Sequence, residues 1–561
     1  MYADLHCHPG AAAYDQTRLA EGGKDKIPFD PWHIPQSNLV NQSKGKRAFG
    51  YSQGDLAKSI TAGAKLLFTA LYPVEKGFFA GLPGGRMGKK KIAEFYRRIQ
   101  ADGESMATEW LLSDLRSQPG REHIQKSSLE FLHCRPMNSS FERILHMQNG
   151  HYDYFDELLR EYKFYRNKEG LCGATPASLQ LYPDGQRKIW GGTYHLARGG
   201  SFFQQKFNPI NEDITMVLTI EGIHALGVGN PEDELLREGE PRTDVTIGKL
   251  KSRIRQLKGE EALDDPELPR WEHRPFFITF ANHFNNTLCG HARSLPAEAR
   301  LIVDQRKNMD KGVLKQGTYE VMQELLGLDE GLQPTGSKRI LIDVKNMSAA
   351  ARSDYYKYVL RPFNYKPANK DRKIPLIASH VAYSGIDRLE VQIKNTRLEK
   401  EDDHFRINKF LAWSINLSDE DVIEVHHSHG LMGLSFDQRL LGADPLPRLL
   451  NLPLKAAMRR QVMRLFARTI SQFVRIPFAY HLDEPLRIWD TLCLGTGFDG
   501  PIDPIHRYAT VLQFKTFESD LIEILAGMKK QEPLWFGSYK PEQLARKICF
   551  ENAYEFVVKH Y

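Results

Sequence analysis

MVLTIEGIHAL, residues 216 to 226, begins with an apolar run and then places a glutamate, Glu221, where the run gives out. A run that is continuous rather than alternating marks a strand buried on both faces, as in a parallel sheet. A carboxylate there is costly unless it is paired or bound to a metal. Seven other runs read the same way: YADLHCH (2 to 8), AKLLFTAL (64 to 71), PFFITFANH (275 to 283), RILIDVKNMS (339 to 348), PLIASHVAY (375 to 383), LMGLSFD (431 to 437) and TLCLGTGFDG (491 to 500). Eight is the number a closed barrel needs. Between them, GVLKQGTYEVMQELLGL (312 to 328) and LKAAMRRQVMRLFARTISQFV (454 to 474) carry apolar residues at helical spacing. The expected fold is therefore α/β, a (β/α)8 TIM-type barrel with long insertions after strands 2 and 3. The last helix, PEQLARKICFENAYEFVVKHY, is expected to pack on the outside of the barrel.

The insertions cover residues 73 to 215 and 227 to 274, and both leave the carboxyl ends of strands, where a barrel builds its site. The expected division is 1–72 for the first two barrel strands, 73–215 for a mostly helical lid or subdomain, and 216–561 for the rest of the barrel. Within the first insertion, SFERILHMQNG and YFDELLREYKFY read as amphipathic helices. GLPGGRMGKKK lacks the preceding strand and the GxxxxGK[ST] spacing of a phosphate loop.

Of 561 residues, 41% are hydrophobic and 26% charged, with a net charge of +6 from 76 basic and 70 acidic side chains. The charges are interspersed, so nucleic acid is not implied. Six cysteines without a CxxC pair read as buried free thiols. No 18-residue apolar run occurs and a strand follows Met1 directly, so the expectation is a soluble, cytoplasmic protein without membrane contact. The expected partner is a small-molecule substrate, with a homo-oligomer possible.

If the eight runs are barrel strands, their carboxyl ends converge on one pocket. Those ends carry His6 and His8, Glu221, His283, His380 and Asp499, all metal-ligand or acid/base types. His6 and His8 are two apart and on a strand share a face, as capture of one cation requires. His224 reads as a residue of the loop or of the layer behind the ligands. His426, His427 and His429 in HHSHG precede the seventh strand and so belong at the opposite, stabilising end of the barrel.

DLHCH, TIEGIHAL, ITFANHFNNT, LIDVKNMS, LIASHVAY and GTGFDG, in that order, resemble the membrane (renal) dipeptidase family of the amidohydrolase superfamily. The resemblance implies a (β/α)8 barrel, two zinc ions bridged by a strand-three glutamate, and hydrolysis of dipeptides. It covers the barrel strands and the terminal helix but not the insertions. Under it, Glu221 matches the bridging glutamate, His380 the strand-six histidine ligand, and His283 the histidine that meets the substrate and the tetrahedral intermediate. The sequence departs from the family in four places. The first strand has His6 and His8 instead of His-x-Asp, and the strand-five histidine is Asn346. The strand-eight aspartate falls on Gly497, leaving Asp499 two residues on. The arginine for a dipeptide carboxylate aligns with Ile415 or falls in the stretch 387 to 410.

The expected function is a metal-dependent hydrolase of amide or peptide-type bonds in a small molecule. His6, His8, Glu221 and His380 are the expected metal ligands, Asp499 the general acid/base and His283 the oxyanion donor. The cofactor is expected to be a divalent metal, zinc by preference, with one ion firmly bound and a second weak or absent, because Asn346 offers only a neutral amide. Lys345, beside it, is expected to point away from the face of Asn346. The alternatives are a histidinol-phosphatase-like phosphoesterase and a catalytically degenerate ligand-binding barrel.

Overall fold

Eight parallel strands run in the order β1 (Tyr2–Cys7), β2 (Ala64–Leu71), β3 (Ile214–Glu221), β4 (Phe277–Thr279), β5 (Leu341–Asp343), β6 (Ile377–Val381), β7 (Leu431–Leu434) and β8 (Leu492–Leu494). They belong to a computed structural model, which describes residues 1–11, 13–14, 30–33, 52–78, 152–174, 191–211, 213–228, 243–295, 304–401, 405–442 and 455–561. Each strand pairs with its successor in parallel. The seam between β8 and β1 is drawn together just past the strand ends. There Cys7 bridges to Phe498, His8 N donates to Phe498 O at 2.9 Å, and Gly497 N donates to His6 O at 2.9 Å. Asp4 reinforces the seam by accepting from Thr496 N at 3.0 Å and from the Thr496 hydroxyl at 2.6 Å. The result is a nearly closed (β/α)8 barrel.

Side chains alternate along each strand, so one set faces the axis. Ala3, Leu5, Leu66, Phe68, Val217, Phe277, Leu341, Ile377, Leu431 and Cys493 form one buried cluster to which every strand contributes. This layer fills the barrel below the mouth. Higher up the bore is too crowded for side chains on every strand: a Cβ at Gly433 or Gly495 would lie 1.8 or 1.9 Å from the Ser379 carbonyl oxygen. Glycine on β7 and just past β8 leaves room for the larger side chains of neighbouring strands.

Three expectations need correction. Except for β2, the strands are shorter than their apolar runs: β3 begins two residues early, at Ile214, but stops at Glu221, and Ile223–Leu226 form a 3-10 turn. A short strand, Tyr194–Leu196, pairs with the start of β3 and has no counterpart in the expected set. The terminal segment is not a single outer helix. It is a helix Pro541–Arg546, a π-helical turn Lys547–Glu551 and a helix Asn552–His560. Phe550, Ala553, Phe556 and Val557 from it join the interior cluster, so the segment plugs the barrel floor. Apolar spacing alone does not say whether a helix lies beside a barrel or across its end.

In the first insertion, YFDELLREYKFY is a helix, Tyr154–Arg166, capped by Asp153, whose carboxylate accepts from Phe155 N and Asp156 N. GLPGGRMGKKK and SFERILHMQNG lie outside the described residues. Of the described cysteines, Cys7, Cys289, Cys493 and Cys549 are buried free thiols, but Cys172 is exposed. No described helix is long and apolar enough to cross a membrane.

Phe276 sits fully buried in the floor cluster, 5.9 Å from the Phe556 ring and 5.3 Å from the Tyr561 ring. Phe276→Ala is expected to cost about 3–5 kcal/mol of stability. Chemical denaturation checks this, and an unchanged midpoint would show that the terminal helix does not carry the floor.

Candidate metal centre

Glu221 ends β3 with its carboxylate at the barrel mouth and only 2% exposed. Two imidazoles from the end of β1 face it. His6 Nε2 lies 3.7 Å from Oε1, and His8 Nε2 lies 3.1 Å from Oε2. All three side chains are buried, and their candidate ligand atoms lie within 4.8 Å of one another. The pairing of β1 with β2 is irregular between Asp4 and Cys7, and the two rings stand 5.1 Å apart at 84°. They therefore approach Glu221 from different directions rather than side by side.

The hydrogen bonds assign the roles of the ring atoms. His8 Nδ1 is 3.1 Å from the Ala70 carbonyl oxygen, a contact only an N–H can make. In the neutral ring, Nε2 then carries the lone pair toward Glu221. Two lone-pair acceptors 3.1 Å apart need positive charge between them, either a proton or a metal cation. Burial lowers the His8 pKa, but hydrogen bonding to Glu221 and its charge outweigh this, and the net shift is upward. Burial raises Glu221, yet the two imidazoles hold it well below the usual carboxylate range. His6 Nδ1 is buried without a hydrogen-bond partner among the described residues. This donor set fits a divalent cation with nitrogen and oxygen ligands.

His380, near the end of β6, stacks on His6 with centroids 4.2 Å apart. Its Nδ1 meets the neighbouring Ser379 hydroxyl at 2.9 Å. Burial first, and then the charge of His6, push its pKa well down. It borders the three-residue donor set through its ring and is not one of the atoms within 4.8 Å.

His283 lies beyond β4 with Nδ1 2.7 Å from Ser294 Oγ. Gln305 fixes the direction of that bond. Gln305 Oε1 accepts from Leu295 N at 3.0 Å, so Nε2 is the donor, and it donates to His283 O at 2.7 Å and to Ser294 Oγ at 2.8 Å. The serine hydroxyl accepts from Gln305 and has its own proton free to give to His283 Nδ1. His283 therefore carries its proton on Nε2, a buried atom with no hydrogen-bond partner among the described residues. Burial pushes its pKa down to about 3, so the ring is neutral.

Asp499 is not among the ligand atoms grouped with His6, His8 and Glu221. Its carboxylate accepts from Gln53 N at 2.6 Å, Gly54 N at 2.8 Å and the Ser52 hydroxyl at 3.3 Å. Burial pushes its pKa up to about 6. β8 ends at Leu494, and Asp499 sits in a turn at φ 63°, so strand alternation no longer sets its direction. Asp499 clamps the 52–54 turn, and its charge also acts on His8. Asn346 is likewise in a turn, at φ 66°, and its Nδ2 donates to Asn282 Oδ1 at 2.8 Å. Lys345, expected to point away from the face of Asn346, is 2% exposed, and its charge acts on both His283 and His380.

Glu75, four residues beyond β2, is a site residue that sequence reasoning missed. Its carboxylate accepts from His283 N at 3.1 Å and Phe284 N at 3.0 Å, tying the loop after β2 to the loop after β4. Burial pushes it up to about 8, against those two hydrogen bonds. A search for carboxylates just past strand ends, not only at them, would have found it. His224 Nε2 donates to the Pro73 carbonyl at 2.7 Å, a loop role as expected. His426 closes the helix Asp419–Ser428 ahead of β7, with Nε2 3.2 Å from the Glu484 carbonyl oxygen, at the opposite end of the barrel.

No family model matches the sequence, and no curated protein matches it. Among solved structures, the chain is similar to a dipeptidase described as a metallopeptidase of family M19, with 12% identity and a TM-score of 0.44 over 100% of this chain and 98% of that one. A metallopeptidase from Rhodobacter sphaeroides, solved with a phosphinate mimic of the dipeptide L-Ala-D-Ala, gives 13% identity and 0.44 over 100% and 99%. The probable dipeptidase PvdM from Pseudomonas aeruginosa gives 12% and 0.36 over 95% and 94%.

The serine and glutamine behind His283 make a prediction. Nitrogen-15 NMR of the neutral ring is expected to show the Nε2–H form in the native chain. Ser294→Ala is expected to shift the ring toward a mixture of tautomers. A native ring protonated on Nδ1 would overturn the assignment.

Proposed function

We propose that the chain is a metal-dependent hydrolase of amide or peptide-type bonds in a small molecule, dipeptidase-like in its use of a barrel mouth. The observation that carries this reading is the buried His6, His8 and Glu221 cluster, whose ligand atoms lie within 4.8 Å of one another. His6, His8 and Glu221 would hold the cation, with His380 beside them. When bound, a divalent ion, zinc by preference for this nitrogen-rich set, supplies an acidified water and polarises a carbonyl.

The protein's own groups do the rest. The Ala70 carbonyl orients His8, so that Nε2 faces Glu221. His283, neutral and protonated on Nε2, offers a fixed donor to an oxyanion developing on the substrate carbonyl. Glu75 holds the backbone of His283, and with it the donor, at the mouth. Tyr72 and Tyr154 wall the pocket against water: the Tyr72 ring is 5.9 Å from His8, and the Tyr154 ring is 4.9 Å from His224. Tyr154 begins the helix Tyr154–Arg166, a described part of the 73–215 insertion.

The test is a panel of dipeptides, N-acyl amino acids and phosphomonoesters, assayed with and without a chelator. Hydrolysis of an amide substrate is expected, and the chelator is expected to remove it. Glu221→Gln is expected to abolish turnover while circular dichroism stays native, because an amide of the same shape brings no charge to the cation. Full activity in that variant would end the proposal. His426→Ala with His427→Ala is expected to leave turnover unchanged. Elemental analysis after dialysis is expected to find one tightly held metal per chain. A second retained equivalent would show that other groups replace the imidazole missing at Asn346.

A further inference from the structure

Three buried lysines can be compared. Lys58 pairs with the Asp55 carboxylate. Lys258 donates to the Glu324 carbonyl and to the Ser337 hydroxyl. Both are lysines with their charge or protons satisfied, as structural burial demands. Lys345 is 2% exposed, yet its Nζ has no hydrogen-bond partner among the described residues, and none of their carboxylates lies within the 4.0 Å of an ion pair.

Its position is also unlike theirs. Lys345 follows β5 at the carboxyl end of the barrel, in the turn that begins after Asp343. The charges acting on it include those of Asp437, Glu221 and Arg439, and its own acts on His283 and His380. It therefore shares the mouth with the candidate metal centre, although the proposed hydrolysis gives it no task. Burial lowers its pKa to about 7. A buried amine with no hydrogen-bond acceptor among the described residues gives up its proton more readily than a solvated lysine, so near neutral pH a share of Lys345 carries a lone pair. Such a lone pair is a nucleophile toward carbonyl carbon.

We propose that Lys345 is a nucleophilic amine that binds small aldehydes and ketones covalently as imines. The nitrogen lone pair forms a bond to the carbonyl carbon while the C=O π electrons move onto oxygen. A proton shift from nitrogen to oxygen gives a carbinolamine. Loss of the hydroxyl group, which takes up a proton to leave as water, and of the remaining N–H proton then makes the C=N bond. The sum is amine plus carbonyl giving imine plus water, with no change of oxidation state, and water reverses it. The proton taken up by the departing hydroxyl comes from water, and His283, whose electrostatic coupling to Lys345 places it nearby, has a neutral ring that can offer the oxygen a hydrogen bond from Nε2. Arg439, held by Asp437 at 2.6 Å and partly exposed at this mouth, favours a carbonyl compound that also bears a carboxylate.

The test uses the full chain in chelator, so that its result does not depend on whether a cation binds His6, His8 and Glu221. Glyoxylate, the smallest aldehyde with a carboxylate, is added near neutral pH with borohydride, and the reduced adducts are mapped by peptide mass spectrometry. The expected result is modification concentrated on the Lys345 peptide, at least tenfold above the Lys58 peptide, and lost in Lys345→Met. Should Lys345→Met fail to fold, the mapping of the native chain still decides. Adducts confined to exposed lysines, or an unmodified Lys345 peptide, would overturn the proposal.

Discussion

The constraint on which the rest of the structure depends is a carboxylate cut off from water. Glu221 stands at the end of a strand whose every residue is buried, and the barrel can close only if that charge is answered within a few ångströms. Left alone, a buried carboxylate would give up its charge by taking a proton. Here burial works in that direction and loses: His6 and His8 hold Glu221 ionised. The imidazoles can reach it because β1 abandons regular pairing between Asp4 and Cys7, and because the seam with β8 fixes the backbone of both histidines, through His6 O and His8 N. The backbone contacts that close the β8–β1 seam and those that place the two histidines are thus the same contacts.

Other buried carboxylates near the strand ends do a different job, and comparing them explains what sequence reading can resolve. Asp4 binds Thr496 across the seam. Asp343 accepts from the Thr279 hydroxyl at 2.8 Å and from Ser379 N at 3.0 Å, crosslinking β4, β5 and β6. Asp499 accepts from two backbone N–H groups. Each answers burial with donors of the barrel itself. Glu221 has imidazole nitrogens and no backbone donor among the described residues, which separates a site carboxylate from a structural one.

The barrel was legible because continuous apolar runs have few other homes, and each of the eight runs holds one of the eight strands. Glu221, His6 and His8 were legible because they stand on the strands or one residue beyond, although the irregular pairing of β1 sets the angle between the two rings. Legibility stopped where the strands stop. Asp499 and Asn346 sit in left-handed turns that swing their side chains away from the directions alternation assigns. Lys345 has the parity of Leu341 and Asp343, and Asn346, whose turn takes it off the strand's alternation, is a poor reference for its direction. Glu75 was missed because its partners are backbone N–H groups from another loop, and no motif records such a contact. The terminal helix was misplaced because its apolar face fits the barrel floor as well as the barrel wall.

The loops after β2 and β4 are tied together chiefly through backbone groups. Glu75 meets the backbone of His283 and Phe284, not their side chains. Gln305 likewise meets the His283 carbonyl, and it reaches the ring only through Ser294. Contacts to backbone constrain where the residue sits without constraining which residue it is, so the frame around the mouth can persist while side chains are exchanged. Contacts to a side chain, as between Ser294 and His283, fix chemistry instead, because they select one tautomer. The mouth is therefore built in two layers: a backbone frame held by buried carboxylate and amide groups, and within it a small set of side chains whose protonation the frame decides. Glu221, His283 and Lys345 are all buried within that frame, so their protonation answers to the protein's own donors and charges.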